Sequence, residues 1–346
     1  MRVLVTGHLG YLGSALVPML TAAGHRVVGL DSGLFEPCFF GPPPLRIRSL
    51  HKDIRDIQAA DLQAFDAIVH LAALSNDPLG NLDPQVTLEI NHQATVRLAR
   101  LASDTGVRRF LFSSTCSIYG AAGEDMVAEE AELHPVTPYG QSKARAEEDL
   151  RRLADAEFSL TFLRNATAYG LSPYVRFDLV LNNLVAWATA TGAVHLKSDG
   201  SAWRPLVHVE DIARAFVAAL GAPRRTVHNQ AINVGQTAEN YRIRDLAEIV
   251  RQTVPGSRIE FEDGARADTR CYRVDFGKLA RLLPGWKPQW NAARGAQQLY
   301  QALRAAKIRV ADFEGPRYMR IAHLQSLLEA GRLDATLRWK DNRSVR

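Results

Sequence analysis

Hydrophobic and polar positions alternate in two rhythms over the first 165 residues. Short β-branched runs predict strands at Arg2 to Thr6, Arg26 to Leu30, Leu45 to Arg48, Ala67 to His70, Arg109 to Ser113 and Ser159 to Arg164. Between them, apolar residues recur three and four positions apart over Tyr11 to Ala23, Pro84 to Thr105 and Tyr139 to Ala154, the spacing of amphipathic helices. Strands alternating with helices predict a doubly wound parallel α/β sheet joined by crossover helices. Beyond Arg164 the alternation breaks. Asparagines, prolines and aromatics crowd 165 to 205, then come a helical stretch, Val209 to Leu220, and a strand-like Ala231 to Val234. Further helices are expected over Tyr241 to Val254, Ala292 to Ala305 and Ile321 to Ala330. The pattern divides the chain into a sheet domain (1–165 and 206–236), a smaller mixed α/β lobe (166–205 and 237–290) and a helical C-terminal extension (291–346).

With 346 residues, 47% of them hydrophobic and 23% charged, the chain has the balance of a folded globular protein. Its length is near the limit of one core, which agrees with a second lobe. Cys38, Cys116 and Cys271 are too few and scattered for a disulfide framework or a zinc site, so a reducing, cytoplasmic setting is expected. The strand-like start, Met1 to Thr6, leaves no room for a signal peptide. The most apolar stretch, Leu179 to Val194, is interrupted by Asn182 and Asn183 and falls short of the roughly 18 apolar residues that span a bilayer. Net charge is +5, yet 291–346 alone carries eleven basic and five acidic residues. These charges alternate with apolar residues at helical spacing, which reads as a solvated helix face. Neither nucleic acid nor membrane is an expected partner. No metal is expected either: no histidine pair four apart encloses a glutamate, and His70 and His208 fall beside strands, in structural positions.

Candidate chemistry begins at Thr6-Gly7-His8-Leu9-Gly10-Tyr11-Leu12-Gly13, which ends the first strand and opens the first helix. Gly7 permits a tight turn, Gly10 lets the backbone approach a diphosphate, and Gly13 lets the helix pack closely. The amides at the helix start then face the anion. The second strand ends at Asp31, where a carboxylate meets the hydroxyls of an adenosine ribose and repels a 2′-phosphate, so NAD is favoured over NADP. At Tyr139 and Lys143, four residues apart on one helix face, an ammonium can lower the phenol pKa and bind the nicotinamide ribose. Thr115 lies at the carboxyl end of a predicted strand, the edge where such sheets bind ligands.

Taken together, the chain resembles the extended short-chain dehydrogenase/reductase family, in its NAD-dependent nucleotide-sugar epimerase/dehydratase branch. The resemblance covers about Met1 to Pro288 through an ordered series: Thr6 to Gly13, Asp53-Ile54, His70 to Ala73, Asn91, Ser113 to Gly120, Tyr139 to Lys143, Arg204 to Asp211 and Gly285 to Pro288. It implies a Rossmann domain in which Tyr139 is the acid/base, Lys143 its partner and Thr115 the hydroxyl sharing the substrate's hydrogen bond. It further implies that Tyr11, Leu12, Asp53, Ile54, Leu71, Ala72, Ala73, Asn91 and Ser113 belong to the cofactor site. Asn182, Asn183, Arg204, Arg266 and Arg270, with Asp268, fall in segments that contact the nucleotide sugar. Ser75 and Asn76 follow the fourth strand and are expected to face the sugar. A homodimer through a four-helix interface is also implied.

Two departures matter. Dehydratases of the family carry Asp and Glu after the threonine; here stand Cys116 and Ser117, so dehydration is disfavoured unless a Cys116 thiolate serves as a base. Thr167 replaces a common asparagine, which puts one diphosphate contact in doubt. The leading expectation is an NAD-dependent epimerase acting at C4 of a nucleotide-activated sugar. A keto-sugar reductase and a non-catalytic dinucleotide binder are the alternatives.

Overall fold

The computed structural model describes residues 1–123, 125–264 and 270–340. Strands β1 (Arg2–Thr6), β2 (Arg26–Asp31), β3 (Ser49–His51), β4 (Ala67–His70), β5 (Arg109–Thr115), β6 (Ser159–Asn165) and β7 (Gln230–Val234) form one parallel sheet in the order β7-β6-β5-β4-β1-β2-β3. The chain enters at β1 and is laid down first to one side, then to the other. The order therefore reverses between β1 and β4, and a crevice opens at their carboxyl ends, where ligands of doubly wound sheets bind.

The longer helices are α1 (Tyr11–Ala22), α2 (Ala94–Asp104), α3 (Pro138–Arg151), α4 (Val180–Thr191), α5 (Val209–Gly221), α6 (Ile243–Thr253), α7 (Ala292–Ala305) and α8 (Arg320–Glu329). Leu16, Val17 and Leu20 of α1 and Phe216 of α5 bury one face of the sheet. Leu98 and Ala99 of α2, Ala146 and Leu150 of α3, and Leu324 and Leu327 of α8 bury the other. A third core joins Leu184 and Val185 of α4, Leu246 and Val250 of α6, and Leu299 and Leu303 of α7. The C-terminal stretch is thus shared: α7 packs into the lobe and α8 onto the sheet domain. Beside the lobe, Trp203–His208 pairs parallel with Thr167–Tyr169 and antiparallel with Asn240–Arg242. Among the described residues, no helix is long and apolar enough to cross a membrane.

Two elements differ from the sequence expectation. The third strand is Ser49–His51, not Leu45 to Arg48; after the prolines at 42–44 the chain meets β2 only at Arg48, whose carbonyl accepts from Gly29 N at 2.9 Å. The helix expected over Pro84 to Thr105 is α-helical at Pro84–Leu88, widens to a π-turn over Glu89–Gln93 and resumes as α2. The wide turn carries Asn91, whose side chain is bonded to the backbone of Leu74. Helix α3 starts where Thr137 accepts from Gly140 N at 3.1 Å, with Pro138 in the first turn, and this cap fixes where Tyr139 emerges.

Candidate active site

A cleft of about 820 Å³ lies along the carboxyl ends of β1, β2, β4, β5 and β6 and is closed by the start of α4, residues 195–198 and Arg204. At one end the glycine turn comes within hard contact of its surroundings. Gly7 has φ +72°, and a Cβ there would lie 2.8 Å from Ala72 N; a Cβ on Gly13 would lie 2.3 Å from Gly7 O. Only glycines allow this turn, and α1 aims its free amides into the cleft. Asp31 stands beside it, its carboxylate accepting from Leu9 N at 3.1 Å and Gly33 N at 2.9 Å. Asp53 and Ile54 line the same end. Burial alone raises the Asp53 carboxyl, but hydrogen bonds and charge from Arg55, its ion-pair partner at 2.7 Å, hold it below the usual range.

Leu71, Ala72 and Ala73 form the wall after β4. Thr6 Oγ1 accepts from Leu71 N and Ala72 N at 3.2 Å each and lies 2.7 Å from His70 Nδ1. His70 Nε2 lies 2.7 Å from Thr95 Oγ1, and burial pushes this imidazole down to about 3, so it is a neutral strut. His208 stacks on Trp290 at 4.1 Å and lies 2.9 Å from Gln298 Oε1. Among the described residues, no cluster of His, Cys, Asp and Glu has the makings of a metal site.

At the centre, Tyr139 and Thr115 face the cleft with Ser113. Burial raises the Tyr139 phenol to about 12, against hydrogen bonding with Thr115 and the Arg176 charge, which lower it. Lys143 lies one layer behind the wall. Its Nζ donates to Ser113 O at 2.8 Å and sits 4.6 Å from the Phe112 ring centroid, and burial presses it down to about 7 despite Glu147. Below it, Glu147 is held by Arg164 at 2.8 Å and by Ser114 Oγ at 2.5 Å. Cys116 is wholly buried and donates to Arg164 O at 3.2 Å. Burial raises its thiol well above the ordinary range, which removes the thiolate base that its position after Thr115 had suggested.

Ser75, Asn76, Thr167, Asn183, Arg204 and Arg270 also line the cleft. Two asparagines do not. Asn91 is wholly buried, bonded to Leu74 N at 2.8 Å, Leu74 O at 3.0 Å and Ser142 Oγ at 3.1 Å; it pins the cofactor-side loop from behind. Asn182 is likewise buried, accepting from Gly170 N at 2.9 Å and donating to Arg176 O at 2.9 Å, so its polar atoms are used by the loop it shapes. At both positions helix geometry turns the side chain inward, so neither lines the cleft. Arg266 and Asp268 lie outside the described residues.

The cleft also contains residues not anticipated from sequence. Arg176 donates to Ser75 Oγ at 3.0 Å and Asp178 Oδ1 at 3.0 Å, while Asp178 also accepts from Asn76. An Arg-x-Asp step in an otherwise apolar loop was the available signal. Asn165, at the end of β6, bonds Ser113 Oγ at 3.0 Å and leaves a buried Oδ1 without a partner. Tyr272, which lines the cleft, has its hydroxyl 3.5 Å from Ser117 Oγ. Arg320, from the basic tail, also reaches the cleft and is buried, contrary to a fully solvated helix face.

Comparison with known proteins places this arrangement. A family model described as "NAD dependent epimerase/dehydratase family" matches residues 3–235. UDP-glucose 4-epimerase from Mycolicibacterium smegmatis is 32% identical over 316 residues, covering 88% of this chain and 99% of the relative. UDP-glucose 4-epimerase 4 from Oryza sativa subsp. japonica is 31% identical over 327 residues, covering 86% and 87% respectively. Among solved structures, MoeE5 in complex with UDP-glucuronic acid and NAD superposes with a TM-score of 0.77 at 27% identity, covering 88% of this chain and 100% of that one.

Proposed function

This chain belongs to the NAD dependent epimerase/dehydratase family, and from that premise we propose that it is an NAD-dependent epimerase that inverts C4 of a nucleotide-activated sugar. The observation that carries the reading is the pairing of Tyr139 and Thr115 at the centre of a cleft, with Lys143 buried behind them on Ser113 O, and a far end that presents the glycine turn and Asp31. Those residues fit a dinucleotide: Gly7 and Gly13 let the turn close where a Cβ would collide with backbone, and the Asp31 carboxylate stands beside the helix amides. NAD, when bound, supplies the acceptor and then the donor of the sugar's hydride.

The chain's own residues handle the proton and the position. Tyr139 takes the proton from the sugar hydroxyl and returns it, with Thr115 sharing the hydrogen bond to the substrate oxygen. In its protonated form Lys143 favours the phenolate, and Ser113 O fixes its position. Arg204 and Arg270 suit the diphosphate of the nucleotide sugar, because the guanidinium fork donates two parallel bonds. Arg176 and Ser75 line the sugar's side of the cleft. Asn91 and Asn182 act through the loops they hold. Dehydration lacks support: after Thr115 come a protonated, buried thiol and a serine, neither of which moves protons on carbon at neutral pH.

The reading includes a cytoplasmic setting and a homodimer through α2 and α3; within the chain, His92 Nε2 of the wide turn before α2 lies 2.7 Å from Asp149 Oδ2 of α3. The direct test is to denature purified protein and quantify the nucleotide it releases. Near-stoichiometric NAD or NADH is expected, since a recycled cofactor need not leave. Protein that binds NADPH in preference, or binds no dinucleotide, overturns the reading.

A further inference from the structure

The segment that carries α8 lies beyond residue 235, where the match to the family model ends. It is fastened across the Asp31 end of the cleft. Trp339 Nε1 donates to Ser32 O at 2.8 Å, His323 Nε2 lies 2.9 Å from Leu34 O, and Arg55 Nη1 donates to Thr336 O at 2.9 Å. Each contact grips the loop after β2 or the turn that carries Asp53. Met319, Arg320 and Leu337 then form part of the cleft wall.

Arg320 is the unusual member. It is 6% exposed, stacks over the Phe35 ring at 4.6 Å and lines the cleft, yet its Nη2 is buried without a hydrogen-bond partner. Among the described residues it forms no ion pair. A buried guanidinium left unpaired is strongly disfavoured. Burial and the nearby Arg176 charge press it down to about 10, so it remains charged at neutral pH. A fixed cation whose side chain lines the cleft and whose hydrogen-bonding capacity the protein leaves unspent is suited to an anion brought by the ligand. Its surroundings say which anion. It lies over Phe35 of the loop after β2, its segment is held to that loop through Trp339 and His323, and the glycine turn lines the same cleft.

We infer that Arg320 is the side-chain cation for the diphosphate of the bound dinucleotide, which makes the C-terminal segment 317–340 a built part of the cofactor site. The inference rests on the dinucleotide reading above.

The test is calorimetric titration of the full-length protein, freed of bound nucleotide, with NAD, ADP and adenosine. Arg320→Met is expected to weaken NAD and ADP roughly ten- to a hundredfold while leaving adenosine within about twofold, the loss of one charged hydrogen-bonding group. Arg320→Lys is expected to recover part of the affinity, because it keeps the charge and loses the fork. If Arg320→Met does not fold, Arg320→Gln replaces it with the same expectation. Unchanged ADP and NAD binding overturns the inference. So does an equal loss for adenosine, which signals simple packing. A wild-type protein that binds neither NAD nor ADP instead overturns the dinucleotide reading itself.

Discussion

Lys143 Nζ donates to the carbonyl oxygen of Ser113 at 2.8 Å, so the ammonium behind Tyr139 is positioned by the backbone of the strand that ends at Thr115. Strand β5 and helix α3 are thereby locked in one register, and the phenol, the hydroxyl and the ammonium keep fixed relations. The buried Glu147–Arg164 pair at 2.8 Å lies under the same junction and joins α3 to β6.

Tyr139→Phe removes only the proton carrier. Turnover is expected to fall by about 10²–10⁴-fold, the usual contribution of a positioned acid/base, with the released-nucleotide content unchanged. Steady-state rates together with nucleotide content check it. Near-wild-type turnover would show that another group moves the proton.

Burial presses Lys143 from 10.5 down to about 7. Its charged form is the costly one in the fold, so that cost is fully present below about 7 and fades as pH rises toward 10.5, where the unfolded chain also loses the proton. Lys143→Met is therefore expected to raise Tm near pH 6 and to lose that advantage by about pH 10, while turnover disappears. Thermal melts across pH read this directly, and a gain that does not vary with pH contradicts the assignment.

Asn91→Ala strands the buried N–H and C=O of Leu74. A loss of about 1–3 kcal/mol is expected for an unpaired buried group, measured by denaturant titration. Weaker NAD retention should accompany it, because Leu74 follows the wall formed by Leu71 to Ala73. An unaltered midpoint contradicts the pinning role.

If α2 and α3 pair across a two-fold axis, light scattering at micromolar concentration gives twice the chain mass. Charge reversal at Arg97 and Arg145, on the outer faces of these helices, is expected to shift the protein toward monomer. A wild-type monomer at that concentration contradicts the dimer.

What the sequence revealed was local. The glycine turn, Asp31 and the Tyr139–Lys143 pair are set by spacing within one strand-turn-helix or one helical turn, so they could be read directly, as could the alternation that makes the sheet. Asn91 and Asn182 were visible as residues but not as directions: a π-turn and the first turn of α4 point them inward, away from the cleft. Arg320 was hidden more deeply. Its place depends on Trp339 and His323 docking on a loop nearly 300 positions away in sequence, a contact no periodicity encodes, and among basic neighbours it looked like one more solvated charge.

In the proposed cycle the C4 hydrogen leaves the sugar and returns to the same molecule on the other face. Purified protein, without added cofactor, should be given UDP-glucose and UDP-glucuronic acid deuterated at C4, and the products followed by NMR and mass spectrometry. The C4 epimer of one of them is expected, with deuterium retained at C4 and none exchanged into solvent. A product that has lost water or the label, or one that forms only with matching consumption of added NADH, would contradict that cycle.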